Sequence, residues 1–137
     1  MDPDPKSREL VDAALAVGAN AYAPYSRFQV GSAVRSSSGA VYSACNVENA
    51  SFPIGTCAER NAIAKGVAAE GPAFRIEAIA VVATQDGKRM PCTPCGACRQ
   101  AIVEFSTSST NVIEDHSGKL SLTSIADLLP GSFRLKA

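Results

Sequence analysis

A chain of 137 residues with 46% hydrophobic and 19% charged side chains has enough apolar material for one globular domain, 1–137, and too little length for two ordinary ones. Thirteen Lys and Arg balance thirteen Asp and Glu, so with no basic block the composition argues against nucleic acid as the main partner and favours a small neutral molecule. No run approaches a membrane span and Met1 to Glu9 is unlike a secretory signal, so the five cysteines, Cys45, Cys57, Cys92, Cys95 and Cys98, point to metal ligation in a reducing, cytoplasmic setting rather than to disulfides.

Asp4-Pro5 can cap and start a helix in which Leu10, Ala14, Val17 and Ala21 share a face, ending before Pro24. Phe28 to Val34 and Val41 to Asn46 flank a Ser37-Ser38-Gly39 turn signal and read as an antiparallel hairpin. Pro53 and Gly55 break the chain, and a second helix is expected from Thr56 to Ala69, stopped by Gly71-Pro72. The apolar run Ile76 to Ala83, interrupted by Glu77 alone, predicts a central strand buried on both faces. A third helix is expected from Pro94 to about Phe105 with Thr93 as its cap. Thr110 to Glu114 and Lys119 to Leu122 bracket an Asp115-His116-Ser117-Gly118 turn, and a short helix over Thr123 to Leu129 stops at Pro130. Helices interleaved with strands imply an α/β sandwich with helices on both faces of the sheet. The apolar excess also allows for surface buried between subunits.

The chemistry is concentrated in Cys57-Ala58-Glu59-Arg60 and in Pro94-Cys95-Gly96-Ala97-Cys98-Arg99-Gln100. Both segments fall at predicted helix starts, where unpaired N–H groups and the positive end of the dipole favour thiolates. Cys95 and Cys98, three apart, share a face and can grip one ion, with Cys57 as the third ligand. Three ligands leave the fourth position of a tetrahedral zinc open, the mark of a hydrolytic rather than a structural site. A nearby glutamate that is not a ligand, followed by P-C-x-x-C, is the pattern of zinc nucleobase deaminases.

Bland readings stand beside these. Thr56-x-x-Glu59 is also a capping box. Pro91-Cys92-Thr93-Pro94-Cys95 is itself a P-C-x-x-C string, so Cys92 can be imagined closing a Cys₄ structural site; on one continuous helix, however, Cys92 and Cys98 would lie about 9 Å apart along the axis. Cys95-x-x-Cys98 can also be read as a redox pair, a weaker reading because it would leave Cys57-Ala58-Glu59 unexplained. His116, in a polar turn, reads as a solvated loop residue. Phe28 can be core packing, Asn46 a turn former, and Arg60 a surface ion pair.

The ordered set Pro24-Tyr25-Ser26-Arg27-Phe28-Gln29-Val30-Gly31, Asn46-Val47-Glu48-Asn49-Ala50-Ser51-Phe52, Cys57-Ala58-Glu59-Arg60 and Pro94 to Gln100, with a weaker echo at Leu128 to Phe133, resembles the small, homotetrameric cytidine deaminases. The resemblance covers most of the chain. It implies a three-layer α/β/α sandwich around a mixed, about five-stranded sheet, and one Zn²⁺ per subunit on Cys57, Cys95 and Cys98. It further implies hydrolysis of cytidine and deoxycytidine to uridine, deoxyuridine and ammonia, a pyrimidine-salvage reaction in which activated water attacks C4 and Glu59 shuttles the proton. Phe28 would stack on the pyrimidine, Asn46 and Glu48 would bind the ribose, and the backbone of Ala58 would touch the base. Arg60 would donate to a zinc-bound sulfur. Ala50, Phe52 and Phe133 would reach a neighbouring subunit's site in a homotetramer with shared active sites. Phe52 stands where tyrosine is common, and Phe133 is followed by Arg134 rather than Gly-Pro. Another cytosine-bearing small molecule, such as a nucleoside antibiotic, is an alternative substrate, and a non-catalytic zinc module is an alternative of a different class.

Overall fold

The computed structural model describes residues 4–135. Its centre is a six-stranded mixed sheet in which β1 (Phe28–Ser36), β2 (Val41–Cys45), β3 (Ile76–Gln85), β5 (Ser106–His116) and β6 (Lys119–Ser124) run in the order β2-β1-β3-β5-β6, while β4 (Lys88–Met90) pairs with one end of β3. Only β3 and β5 are parallel, and every other pairing is antiparallel. The expected hairpin is β1–β2, turned by Gly39 at φ 93°. The apolar run placed in mid-sheet is β3, with Ile79 to Ala83 all buried.

Alternation along β3 sorts the core into two layers, because successive strand residues point to opposite faces, and a register shift between Ile76 and Ala78 puts Ile76 on the face of Ile79 rather than that of Ala80. Ala80 and Val82 meet Leu10, Val11 and Ala14 of α1 (Pro5–Gly18). Ile76 and Ile79 instead pack with Ala62 and Ile63 of α2 (Ala58–Glu70) and Ile102 and Val103 of α3 (Gly96–Glu104), where Phe74 sits edge-on to Phe105. Helices thus cover both faces, as the three-layer expectation required.

Several boundaries move. The Asp4 carboxylate caps α1 by accepting from the Ser7 N–H at 2.8 Å, but the helix ends at Gly18, leaving Ala21 beyond it. Helix α2 begins at Ala58 with Cys57 as its cap residue, and α3 begins at Gly96 with Cys95 in that place, so neither Thr56 nor Thr93 is the cap. The last helix, α4 (Ile125–Leu128), is shorter than expected and capped by the Ser124 hydroxyl. β4 had no sequence signal, being three residues long and led by Lys88-Arg89.

Close contact of α1 with the sheet depends on a missing side chain. A Cβ built on Gly31 would lie 1.8 Å from the Ala14 carbonyl oxygen, a backbone atom of the helix. Gly31→Ala therefore forces α1 away from β1 and is expected to cost about 3 kcal/mol, at the upper end for overpacking. A lowered urea midpoint with an unchanged slope would show it.

Candidate metal centre and substrate cavity

The start of α2 faces the start of α3. Because Cys57 and Cys95 are the cap residues and Cys98 lies three residues into the second segment, their Sγ atoms lie within 4.8 Å of one another. Two sulfurs held at about 2.3 Å by one zinc ion must be under about 5 Å apart, so the donor set and its spacing fit zinc. Cys98 is buried, Cys57 half-buried and Cys95 exposed, which places the outward side of the cluster next to the cavity.

The electrostatics of the metal-free sulfurs follow from this packing. Cys57 is held down to about 5, first because the Cys98 thiol donates to it and then because the Arg60 guanidinium lies beside it. Arg60 Nη2 is 3.5 Å from Cys57 Sγ. Cys98, the donor, is correspondingly pushed up, with burial adding to the effect. The Glu59 side chain turns inward rather than back to a helix cap. It is 4% exposed, and burial raises its carboxyl to about 7, assisted by the neighbouring Cys57. The capping-box reading fails: Cys57 is the cap residue, with no side-chain cap bond, and the Thr56 hydroxyl instead accepts from Asn61 Nδ2 at 3.0 Å.

A cavity of about 610 Å³ opens against the cluster, with Cys57, Ala58, Glu59 and Cys95 among its lining. Phe28, Asn46, Glu48 and Phe52 also line it. Of the three residues expected to reach a neighbouring subunit's site, Phe52 lines this chain's own cavity. Ala50 lies on an exposed bend, and Phe133 is 68% exposed with its carbonyl accepting from Gln100 Nε2; neither lines the cavity.

Asn46 and Glu48 are already committed in part to the protein's own backbone. The Asn46 amide accepts from the Val30 N–H at 2.8 Å and donates to the Phe28 carbonyl at 3.0 Å, so it keeps one donor and one acceptor position for a ligand. Glu48 Oε1 accepts from the N–H groups of Tyr25 and Ser26, and Oε2 accepts from the Ser26 hydroxyl. A carboxylate has about four acceptor positions, which leaves one on Oε2.

Cys92 lines the same cavity but is not in the sulfur cluster. Its N–H donates to the Asp115 carbonyl at 2.8 Å, pinning it to β5, and burial pushes its thiol up to about 12. Arg99 does not touch sulfur either: it donates to the carbonyls of Pro94 and Leu128 and to the Thr93 hydroxyl, fastening the Cys95 loop to the end of α4. His116 is exposed, beside the Ser121 hydroxyl. Sequence reasoning missed the parts played by Ser26 and Asn61, whose partners lie many residues away.

Comparison with known proteins agrees with this geometry. The family model of the cytidine and deoxycytidylate deaminase zinc-binding region matches residues 5–114. A cytidine deaminase of Sporosarcina psychrophila is 44% identical over 114 residues, 82% of this chain and 80% of that protein. The crystal structure of cytidine deaminase from Burkholderia pseudomallei superposes with a TM-score of 0.81 at 42% identity, covering 92% of this chain and 98% of the other. The structure of the Mycobacterium tuberculosis enzyme gives 0.80 at 36% identity, covering 96% and 100%. With a zinc-binding family region and a three-cysteine cluster able to hold one ion, the cofactor is zinc.

Zinc content distinguishes three ligands from four. Cys92→Ser is expected to keep one zinc per chain, whereas Cys57→Ser and Cys95→Ser lose it. Equal loss from the Cys92 and Cys95 variants would overturn this ligand set.

Proposed function

Since the chain belongs to the cytidine and deoxycytidylate deaminase zinc-binding family, we propose that it is a cytidine deaminase, hydrolysing cytidine and 2'-deoxycytidine to uridine and 2'-deoxyuridine with release of ammonia. The observation that carries this reading is a buried carboxyl, Glu59, beside a three-sulfur metal cluster in the wall of a cavity of nucleoside size. When bound, zinc supplies the Lewis acidity that lets water act as a nucleophile near neutral pH.

The chain's own residues do the rest. Glu59 takes the proton of the attacking water, passes it to N3 of the pyrimidine as the C4–O bond forms, and assists the C4 amine in leaving as ammonia. A carboxyl raised by burial toward neutrality suits a group that must be base and acid in turn. Phe28 on the cavity wall offers its ring to the base, and the backbone of Ala58 lies beside Glu59 to meet the polar edge. The remaining donor and acceptor of Asn46 and the remaining acceptor of Glu48 address the sugar hydroxyls. Arg60 offsets part of the negative charge of three thiolates around a divalent ion.

Among the described residues no Lys or Arg lines the cavity. A substrate phosphate would find no counter-charge there, so the nucleoside is favoured over the nucleotide, and the same absence disfavours nucleic acid. The rim supports assembly into a homotetramer: Phe52 is 77% exposed and Tyr25 is exposed beside it, with Ile54 exposed two residues further along the chain. Phe52 and Tyr25 meet edge to face. Such a patch at a site entrance calls for cover by another copy of the chain, which would bring Ala50 and Phe133 toward a neighbour's cavity. Five free thiols support a cytoplasmic location for the single domain 1–137. Among the described residues no helix is long and apolar enough to cross a membrane.

Ammonia release from cytidine by the zinc-loaded protein tests the reading directly. Glu59→Gln is expected to retain zinc and lose about 10²–10⁴-fold or more in turnover, the range for a positioned acid–base group. Near-normal turnover in that variant would remove Glu59 from its role. Light scattering reads the assembly, with four chains as the expected mass.

A further inference from the structure

Ser26 joins the two substrate-facing walls of the cavity into one unit. Its hydroxyl donates to Glu48 Oε2 at 2.5 Å and accepts from the Phe28 N–H at 2.9 Å. Its own N–H, with that of Tyr25, donates to Glu48 Oε1. Its carbonyl is held by Gln85 Nε2 at 3.0 Å, which ties the loop to the end of β3 beside Phe28. Phe28 is therefore bracketed on both backbone groups by side chains, its N–H by Ser26 and its carbonyl by Asn46.

From this geometry we infer that Ser26 is a positioning residue, which aims the free acceptor of Glu48 and the ring of Phe28 at one nucleoside. The inference rests on the cytidine deaminase reading of the cavity. The hydroxyl has a single proton and spends it on Glu48, so Ser26 has no donor left for a substrate and acts through its neighbours. Fixing the Oε2 orientation matters because only one acceptor position remains on the carboxylate, and a rotated Glu48 would present it away from the sugar. A hydrogen bond to an ionised carboxylate is roughly twice as strong as a neutral one. Consistent with that, the Ser26 hydroxyl is the largest influence holding the Glu48 carboxyl below its usual range.

The test is steady-state kinetics on zinc-loaded protein. Ser26→Ala is expected to raise KM for cytidine about tenfold, as for the loss of one hydrogen bond to a charged group, with kcat changed by under about twofold, because ground-state positioning rather than the chemical step is affected. Ser26→Thr, which keeps the hydroxyl, is expected to restore KM. On a Glu48→Gln background, Ser26→Ala is expected to cost much less than it does alone, since residues acting through one another are not additive. An unchanged KM in Ser26→Ala, or full additivity with Glu48→Gln, overturns the positioning role while leaving the site reading intact. A wild-type protein that releases no ammonia from cytidine overturns the site reading, and this role with it.

Discussion

Three sulfur atoms held within 4.8 Å of one another at two facing helix starts are the constraint on which the site depends. Thiols that close are stable only if protons, guanidinium groups or a metal absorb their charge. Helix N-termini help, because unpaired N–H groups and the dipole favour negative charge there. Cys57 and Cys95 are placed as cap residues, where a side chain can look along the helix axis and away from its own body. The fold delivers this by laying α2 and α3 side by side on one face of the sheet, packed over Ile76, Ile79 and Val112. Two further strands of support hold the helix starts. Asn61 donates to the Cys45 carbonyl and the Thr56 hydroxyl, securing the approach to α2. Arg99 secures the approach to α3 through Pro94 and Thr93.

The opposite wall of the cavity is made differently. There the side chains that face a ligand also hold the loop that carries them, so the polar capacity of Asn46 and Glu48 is divided between backbone and solvent. A group with all its bonding positions free would be flexible and would have to be ordered by each substrate molecule. Dividing the capacity leaves fewer positions but fixes their direction, which lowers the entropy lost on binding. The Ser26 hydroxyl belongs to this economy of bonds, since it is the element common to the carboxylate and the aromatic ring.

Much of this was legible in the sequence because the signals were local or periodic. The β3 run is apolar from Ala78 to Ala83, and its burial on both faces follows. Asp4-Pro5 and Gly71 carried their own punctuation, and both act as expected at helix ends. What failed to show was set by distant contacts. Thr56-x-x-Glu59 has the letters of a capping box, yet burial turns Glu59 toward sulfur and leaves Thr56 to Asn61. Cys92 shares a P-C-x-x-C string with the ligands, and only its bridge to Asp115 on β5 separates it from them. Ser26 stood inside a recognised motif, but its partner Glu48 is 22 residues away and no spacing rule connects them. β4 exists because Lys88 to Met90 can pair with the end of β3, not because those residues favour a strand.

Charge decides how the two walls can work together. The Cys57 thiol is held down because Cys98 donates to it and Arg60 stands beside it, while the Cys98 thiol is pushed up. Taking up a divalent ion requires the remaining thiol protons to leave, since only thiolates ligate zinc. Three thiolates and one divalent cation sum to a single negative charge, and Arg60 at 3.5 Å from Cys57 Sγ is the positive group placed to offset it. Without that offset the cluster would repel an ionised Glu59 and weaken the Lewis acidity at the open position. Burial, with the neighbouring Cys57 adding to it, raises the Glu59 carboxyl to about 7. The two devices are complementary: the guanidinium adjusts the metal's electrostatics from outside the cavity, and burial adjusts the carboxyl's from within. A substrate entering past Phe28 and Glu48 then meets a proton carrier and a metal site whose charges have been set independently of it, which is what pre-organisation for a hydrolytic transition state demands.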